Sequence, residues 1–207
     1  MSSSFRTPQE EFWAGDFGAD YAARNADPAL LASNIALFAK VLSQAPDVRS
    51  VCEFGANIGL NLIAIRALLP DVALSAVELN PVAFKQLSNI PGIMAYQGSL
   101  LEFEEEGQHD LTLSKGVLIH INPQQLENAY SRLYKYSRKY ICIAEYYNPS
   151  PVSIPYRGHS DRLFKRDFAG EMLDKYPDLR LVSYGFVYRR DPVHPLDDIS
   201  WFLLERR

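Results

Sequence analysis

Apolar and polar positions alternate along this chain with two different periods, and the periods take turns. Residues 30–42 place Leu30, Leu31, Ile35, Leu37, Phe38, Val41 and Leu42 on one helical stripe. Asp27-Pro28 supplies a cap residue and a first-turn proline for that helix, and Ala45-Pro46-Asp47 ends it. A short apolar run at 50–54 then reads as a buried strand, and 60–69 as a helix stopped by Pro70. The alternation continues with a strand at 73–78, a helix at 81–90 opened by Asn80-Pro81, and a strand at 93–97. A strand at 110–114, a long helix at 123–137 and a strand at 140–145 follow. Strands separated by helical segments predict parallel crossover units.

The pattern changes after residue 145. Residues 148–159 are rich in proline and glycine and lack a period, which predicts a loop; 167–176 reads as a helix. Two β-rich runs, 179–188 and 199–205, are joined by "RRDPVHPLDD" and predict an antiparallel hairpin closing the sheet. The acidic stretch 102–106 reads as a solvated turn. No repeat or linker divides the 207 residues, so one α/β domain is expected. Within it, 1–45 would form a helical cap, 50–145 the core, and 146–207 a loop, a helix and the hairpin.

Composition narrows the classes. With 47% hydrophobic and 22% charged residues, the chain can bury a core. A net charge of −4 argues against a broad nucleic-acid surface, and no apolar stretch approaches the ~20 residues of a membrane span. The opening "MSSSFRTPQEEFW" has no apolar core of a secretory signal. Cys52 and Cys142 sit in buried runs without metal-ligand spacing, so reduced thiols, a cytoplasmic setting and no metal are expected.

The candidate chemistry lies at the strand ends, where open parallel sheets bind ligands. Gly55 and Gly59 flank the turn "GANIG" after the first strand. The turn lacks the middle glycine of a dinucleotide fingerprint and the lysine of a P-loop. Glu53, two residues earlier, disfavours a phosphate and suits a cation such as an ammonium. Glu78 ends the second strand, 23 positions after Gly55 (78 − 55), where a carboxylate can accept from both hydroxyls of a ribose. Ser99 follows the third strand and could meet an adenine amino group. An amine, a ribose and an adenine together describe S-adenosylmethionine.

The runs "EFGANIG", "VELN", "QGSL" and "DLTLSKGVLIHINP" resemble the successive motifs of class I, Rossmann-like, S-adenosylmethionine-dependent methyltransferases. The resemblance implies a doubly wound, mostly parallel seven-stranded sheet with an antiparallel C-terminal strand. It assigns the cofactor to Glu53, Gly55, Ala56, Asn57 and Gly59, to Glu78, Leu79 and Asn80, to Gly98, Ser99 and Leu100, and to Lys115, Gly116 and Val117. Many relatives carry Asp where this chain has Ser99. Over its whole length the chain is most similar to pseudaminic acid biosynthesis-associated methylases, through "FWAGDFGADYAARN" and "EYYNPSPVSIPYRGHSDRLFKRDFAGEML". That name says little about the methyl acceptor.

Methyl transfer needs an aligned acceptor, a dry site and often a base. His120, after the fourth strand, reads as a base or as an inert helix-start histidine. Glu145, at the end of the fifth, could take a proton or position an amine. Tyr146, Tyr147 and Asn148 could wall an acceptor pocket, or the tyrosines could simply pack. Tyr156, Arg157 and His159 crowd the following loop with Arg162, Lys165 and Arg166, which suits an anionic or hydroxyl-rich small molecule. Trp13, Phe17 and Tyr21 recur at helical spacing in a stretch that could cover the cofactor. The methyltransferase resemblance implies such a lid, in which Trp13 or Tyr21 could cover the sulfonium and Arg24 could pair with the cofactor carboxylate. A small polar acceptor, methylated on O or N, is the expected substrate; a catalytically silent binding module is the alternative. The stretch "GVLIHINP" lacks the Pro-Pro-aromatic platform of nucleic-acid amino-methyltransferases.

Overall fold

The computed structural model describes residues 5–24 and 27–207. Nine strands and seven α-helices follow in the order α1 (Pro8–Ala14), α2 (Asp16–Arg24), α3 (Pro28–Leu42), β1 (Ser50–Phe54), α4 (Leu60–Leu68), β2 (Ala73–Glu78), α5 (Pro81–Leu87), β3 (Ile93–Gln97), β4 (His109–Lys115), α6 (Leu126–Tyr136), β5 (Ser137–Glu145), β6 (Val152–Ser153), β7 (Phe164–Lys165), α7 (Phe168–Lys175), β8 (Leu179–Val187) and β9 (Ile199–Arg206). Seven strands form one sheet in the order β3-β2-β1-β4-β5-β9-β8. The first five are parallel, and β9 lies antiparallel between β5 and β8, as the terminal hairpin predicts.

Side-chain alternation divides the strands between two cores. Val51 packs with Leu37, Phe38 and Val41 of α3 and Leu62 and Ile65 of α4, on one face. Its neighbour Cys52 and then Phe54 pack with Leu133 and Tyr136 of α6 and Met172 of α7, on the other. Both cysteines are buried and free. The near-continuous apolar runs of β1, β4 and β5 are thus explained by burial on both faces.

Three elements differ from the periodicity. The N-terminal stripe is broken at Gly15, whose backbone is extended, into α1 and α2. The long helix at 123–137 begins as a 3-10 turn, Pro123–Gln125, and ends at Tyr136, because Ser137 already pairs with His109 in the sheet. The loop after β5 carries a miniature ribbon, with Val152 and Ser153 paired to Lys165 and Phe164. In the acidic turn, Glu104 pairs with Arg132 and with Lys135 at 2.6 Å, but it is exposed, so this pairing is worth little. Among the described residues no helix is long and apolar enough to cross a membrane. Asn25, the last residue of the "FWAGDFGADYAARN" stretch, lies outside the described residues.

Candidate functional site

The carboxyl ends of β4, β1, β2 and β3 open onto a cleft of about 820 Å³. Its floor is the turn after β1. Gly55, Asn57 and Gly59 all have left-handed backbones, with φ of 75°, 50° and 83°. A Cβ on Gly55 would stand 2.4 Å from Val117 Cγ2, so the turns after β1 and β4 meet there in van der Waals contact. Gly59 is tight for another reason: its Cβ would strike Ile90 and Leu87, which seat α4 against α5.

Glu78 holds this turn. Its Oε2 accepts from the Asn57 N–H at 2.7 Å and its Oε1 from the Asn80 N–H at 2.6 Å. Burial raises its pKa, and these backbone donors pull it back. Each oxygen keeps a second acceptor site, which leaves room for two ribose hydroxyls. Asn80 lines the cleft but spends its side chain on scaffolding. Its Oδ1 caps α5, and its Nδ2 donates to the carbonyls of Trp13, Ala14 and Gly15 at 3.0, 3.2 and 3.1 Å. The amide thereby closes the end of α1 and ties it to the sheet.

Beneath the turn, Glu53 is 0% exposed. Its Oε1 accepts from Asn61 Nδ2 at 2.5 Å. Its Oε2, and Asn61 Oδ1, are buried with no hydrogen-bond partner among the described residues. Burial pushes the Glu53 pKa up to about 7, against the pull of Asn61 and of the nearby Lys115 ammonium. Burial in turn lowers the Lys115 pKa, while Glu53 and Asp197 oppose it. Unmet acceptors beside an ammonium are what a zwitterionic amino-acid group would satisfy.

A second basin, about 1800 Å³, lies beyond the first. Tyr21, Gly55, Asn57, Gly116 and His120 line both, so the two spaces adjoin. Ala56, Lys115, Tyr146, Tyr156 and Arg157 face the basin. Trp13, Leu79, Gly98, Ser99, Leu100 and Val117 face the cleft with Glu78.

His120 stands at the junction. Its Nδ1 lies 2.5 Å from the Arg162 carbonyl oxygen, which only accepts, so Nδ1 carries the proton and Nε2 the lone pair. Burial lowers its pKa to about 4, leaving a neutral imidazole at pH 7. Its ring lies 4.4 Å from Trp13 and 5.3 Å from Tyr156, centroid to centroid. Trp13 also meets Phe17 and Tyr21 edge-on, at 5.3 and 5.4 Å, so the aromatic stripe of α1 and α2 roofs the cleft.

Several sequence candidates stand elsewhere. The Arg24 guanidinium is 5.8 Å from the Phe17 ring centre and 6.0 Å from that of Tyr21, and lines neither space. Glu145 is buried behind the turn after β4. One of its oxygens accepts from the Ser114 hydroxyl at 2.8 Å and from the Val117 and Leu118 N–H groups at 3.1 and 3.0 Å. It braces that turn and reaches neither space. Tyr147 is exposed against Phe202, Asn148 bonds to the Ser150 carbonyl at 2.6 Å, and His159 packs on Phe12. Among these loop residues, Tyr156 and Arg157 do reach the basin, on a tight turn where Arg157 has φ of 48°.

Sequence reasoning passed over Glu10, Gln9 and Asn61. Glu10 belongs to "TPQE", a capping-box pattern that was there to be read, and its box is complete. Its carboxylate also accepts from the Ser99 hydroxyl across the cleft wall. Gln9 bridges α1 to the Asp161 carbonyl at 3.0 Å and to Asn122 at 3.1 Å. No sequence signal marks Asn61.

No protein-family model and no curated protein sequence matches the chain. Solved structures do. Magnesium protoporphyrin IX methyltransferase from Synechocystis PCC 6803, with S-adenosylmethionine bound, matches with a TM-score of 0.69, covering 96% of this chain and 95% of that one at 11% identity. A Burkholderia thailandensis 1,6-didemethyltoxoflavin-N1-methyltransferase, holding its substrate and S-adenosylhomocysteine, gives 0.69 over 100% and 93% at 17% identity. An amino pentose methyltransferase from Micromonospora echinaspora gives 0.65 over 93% and 97% at 11% identity. The seven-stranded sheet is therefore the fold of class I methyltransferases. At these identities the likeness establishes architecture, and the chemistry must be argued from the residues.

Proposed function

We propose that the chain is an S-adenosylmethionine-dependent methyltransferase acting on an oxygen or nitrogen of a small polar molecule. The observation that carries this is the pair of adjoining spaces, a cleft and a basin, that share Gly55, Gly116 and His120. Methyl transfer is an in-line displacement, so donor and acceptor must approach from opposite sides of one point. When bound, the cofactor would supply a methyl group on a sulfonium, whose sulfur keeps the electron pair of the broken bond. Glu78 would hold the ribose, and Asn61 and Lys115, backed by the buried Glu53, the amino-acid end. Trp13 would close the cleft to water. Nε2 of His120 would take the proton of an incoming hydroxyl or ammonium; its depressed pKa makes it a weak base that positions as much as it abstracts.

The basin favours an acceptor with an acidic group. Beside Lys115, which faces Asp197, and Arg189, which pairs with Asp198 at 3.5 Å, Arg157 and Lys165 line it with no ion pair within 4 Å among the described residues. A sugar, a sugar nucleotide, or an amino or carboxylate metabolite has the required polarity. The finer kinship, to pseudaminic acid biosynthesis-associated methylases, rests on the stretches quoted above, and a cytoplasmic setting on the reduced thiols. Calorimetric titration with S-adenosylhomocysteine tests the reading. Binding by the wild-type chain, weakened by about 2–3 kcal/mol in Glu78→Ala, is expected if both ribose hydroxyls bond to that carboxylate. Neither heat nor thermal protection would refute it.

A further inference from the structure

We propose that Glu10, on the N-terminal helix α1, accepts a hydrogen bond from the exocyclic amine of the cofactor's adenine, so that the helix roofing the cleft also selects the base. This rests on the methyltransferase reading and adds a residue and a selectivity to it.

The strand order sets the direction of a bound nucleoside. Gly55 and Gly116 follow β1 and β4, Glu78 ends β2, and Gly98 to Leu100 follow β3, the edge strand. Adjacent strands lie about 4.8 Å apart. A ligand with its sulfur at the β1 and β4 turns and its ribose at Glu78 therefore carries its base onward to β3. The polar side chains on that wall are nearly all spent, and so is the first backbone donor. The Gly98 N–H donates to the Glu78 carbonyl at 2.9 Å. The Ser99 hydroxyl donates to Glu10 and accepts from the Leu101 N–H at 3.0 Å. Thr7 Oγ1 accepts from the Glu10 N–H, and both ends of the Gln9 amide are engaged.

Beyond Glu78, Glu10 is the side chain with acceptor capacity left. Its Oε2 takes the Arg6 and Thr7 N–H groups at 2.8 and 3.2 Å, but its Oε1 takes only the Ser99 hydroxyl. The residue is 5% exposed, lines the cleft, and has no cation within 4 Å among the described residues; the nearest in sequence, Arg6, is turned to Glu102 at 2.6 Å. An ionised carboxylate only accepts. The base edge that meets it must donate. The amine of adenine does, whereas a carbonyl at the same ring position would set two acceptors against each other.

The test compares S-adenosyl-L-homocysteine with S-inosyl-L-homocysteine, whose base carries a carbonyl in place of that amine and an N–H in place of the N1 lone pair, and reads the ratio of the two affinities across variants by calorimetry on the full chain. The wild type is expected to prefer the adenosyl compound by about tenfold to a hundredfold. Glu10→Gln keeps the capping box, which accepts either residue, but sets an N–H where a lone pair stood; the preference should fall to within about threefold. Ser99→Ala removes the tie and leaves the carboxylate, so its preference should survive. A merely structural Glu10 would lower both affinities together and leave their ratio untouched. An unchanged ratio in Glu10→Gln, or a ratio lost in Ser99→Ala, overturns the proposal. Equal binding of both compounds by the wild type overturns it alone, while binding of neither removes the cofactor reading with it.

Discussion

Replacing Glu145 by glutamine should make the protein's stability less dependent on pH, and the size of the change can be worked from the site. Burial raises the Glu145 pKa from an ordinary 4.5 to about 7, even though three donors favour its ionised form. A pKa raised by folding contributes stability that is fully present below the unfolded value. That stability is lost as pH rises through the folded value, because the native state holds its proton longer. The wild type should therefore weaken between about pH 4.5 and pH 7. Glutamine has no proton to lose. Its amide oxygen can serve Ser114, Val117 and Leu118, while its NH₂ replaces an oxygen that has no partner, at a cost that does not vary with pH. Glu53, also raised by burial, and His120, lowered by it, act in opposite directions, but both proteins share them and they cancel in the difference. Between pH 5 and pH 8 the stability of Glu145→Gln relative to wild type should rise by roughly 2.5 kcal/mol. Urea unfolding at the two values, read by fluorescence, measures it. A relative change below about 0.5 kcal/mol would refute the burial argument, since it would mean Glu145 ionises as easily folded as unfolded. The same variant should keep its affinity for S-adenosylhomocysteine, because Glu145 braces the β4 turn from behind and reaches neither space.

Other outcomes follow from steric and charge details. Gly55→Val should abolish cofactor binding, since its side chain must grow into Val117 from a left-handed backbone; calorimetry showing wild-type affinity would exclude close approach at that turn. Gly18→Ala should detach the N-terminal helices: its Cβ would fall 1.9 Å from the Trp13 carbonyl oxygen and 2.7 Å from Asn80 Nδ2. Faster proteolysis within residues 5–24, with at least tenfold weaker S-adenosylhomocysteine binding, is expected; unchanged protection would mean the roof is dispensable. Arg157→Ala should raise the KM of an acidic acceptor more than that of the cofactor, and equal effects would return Arg157 to the scaffold.

The parts of the molecule that could be read in advance are those whose cause is local. Apolar runs gave the central strands because parallel strands are buried on both faces, and a run needs no partner to be recognised. Gly55 and Gly59 stood out because their backbones are left-handed, a property of the residue itself. Glu78 could be placed because a strand end fixes where its side chain emerges. The misplacements share the opposite cause. The resemblance puts Arg24 in a lid over the cofactor, but the structure turns it over Phe17 and Tyr21, outside both spaces. The strand end places Glu145 at the site, but the turn after β4 folds across it and takes its oxygen. Glu10 is the sharpest case. Its capping box spans three residues and was legible, yet its contact with Ser99 spans 89. Where the motif after β3 has a serine in place of the expected acid, a carboxylate arrives from the other end of the chain, on a helix held by Asn80. Local sequence can show that an acid is missing from a wall; only the fold shows which distant residue stands in its place. A serine in that motif is then a reason to search the segments that roof the cleft for a buried acid before concluding that the base is unread.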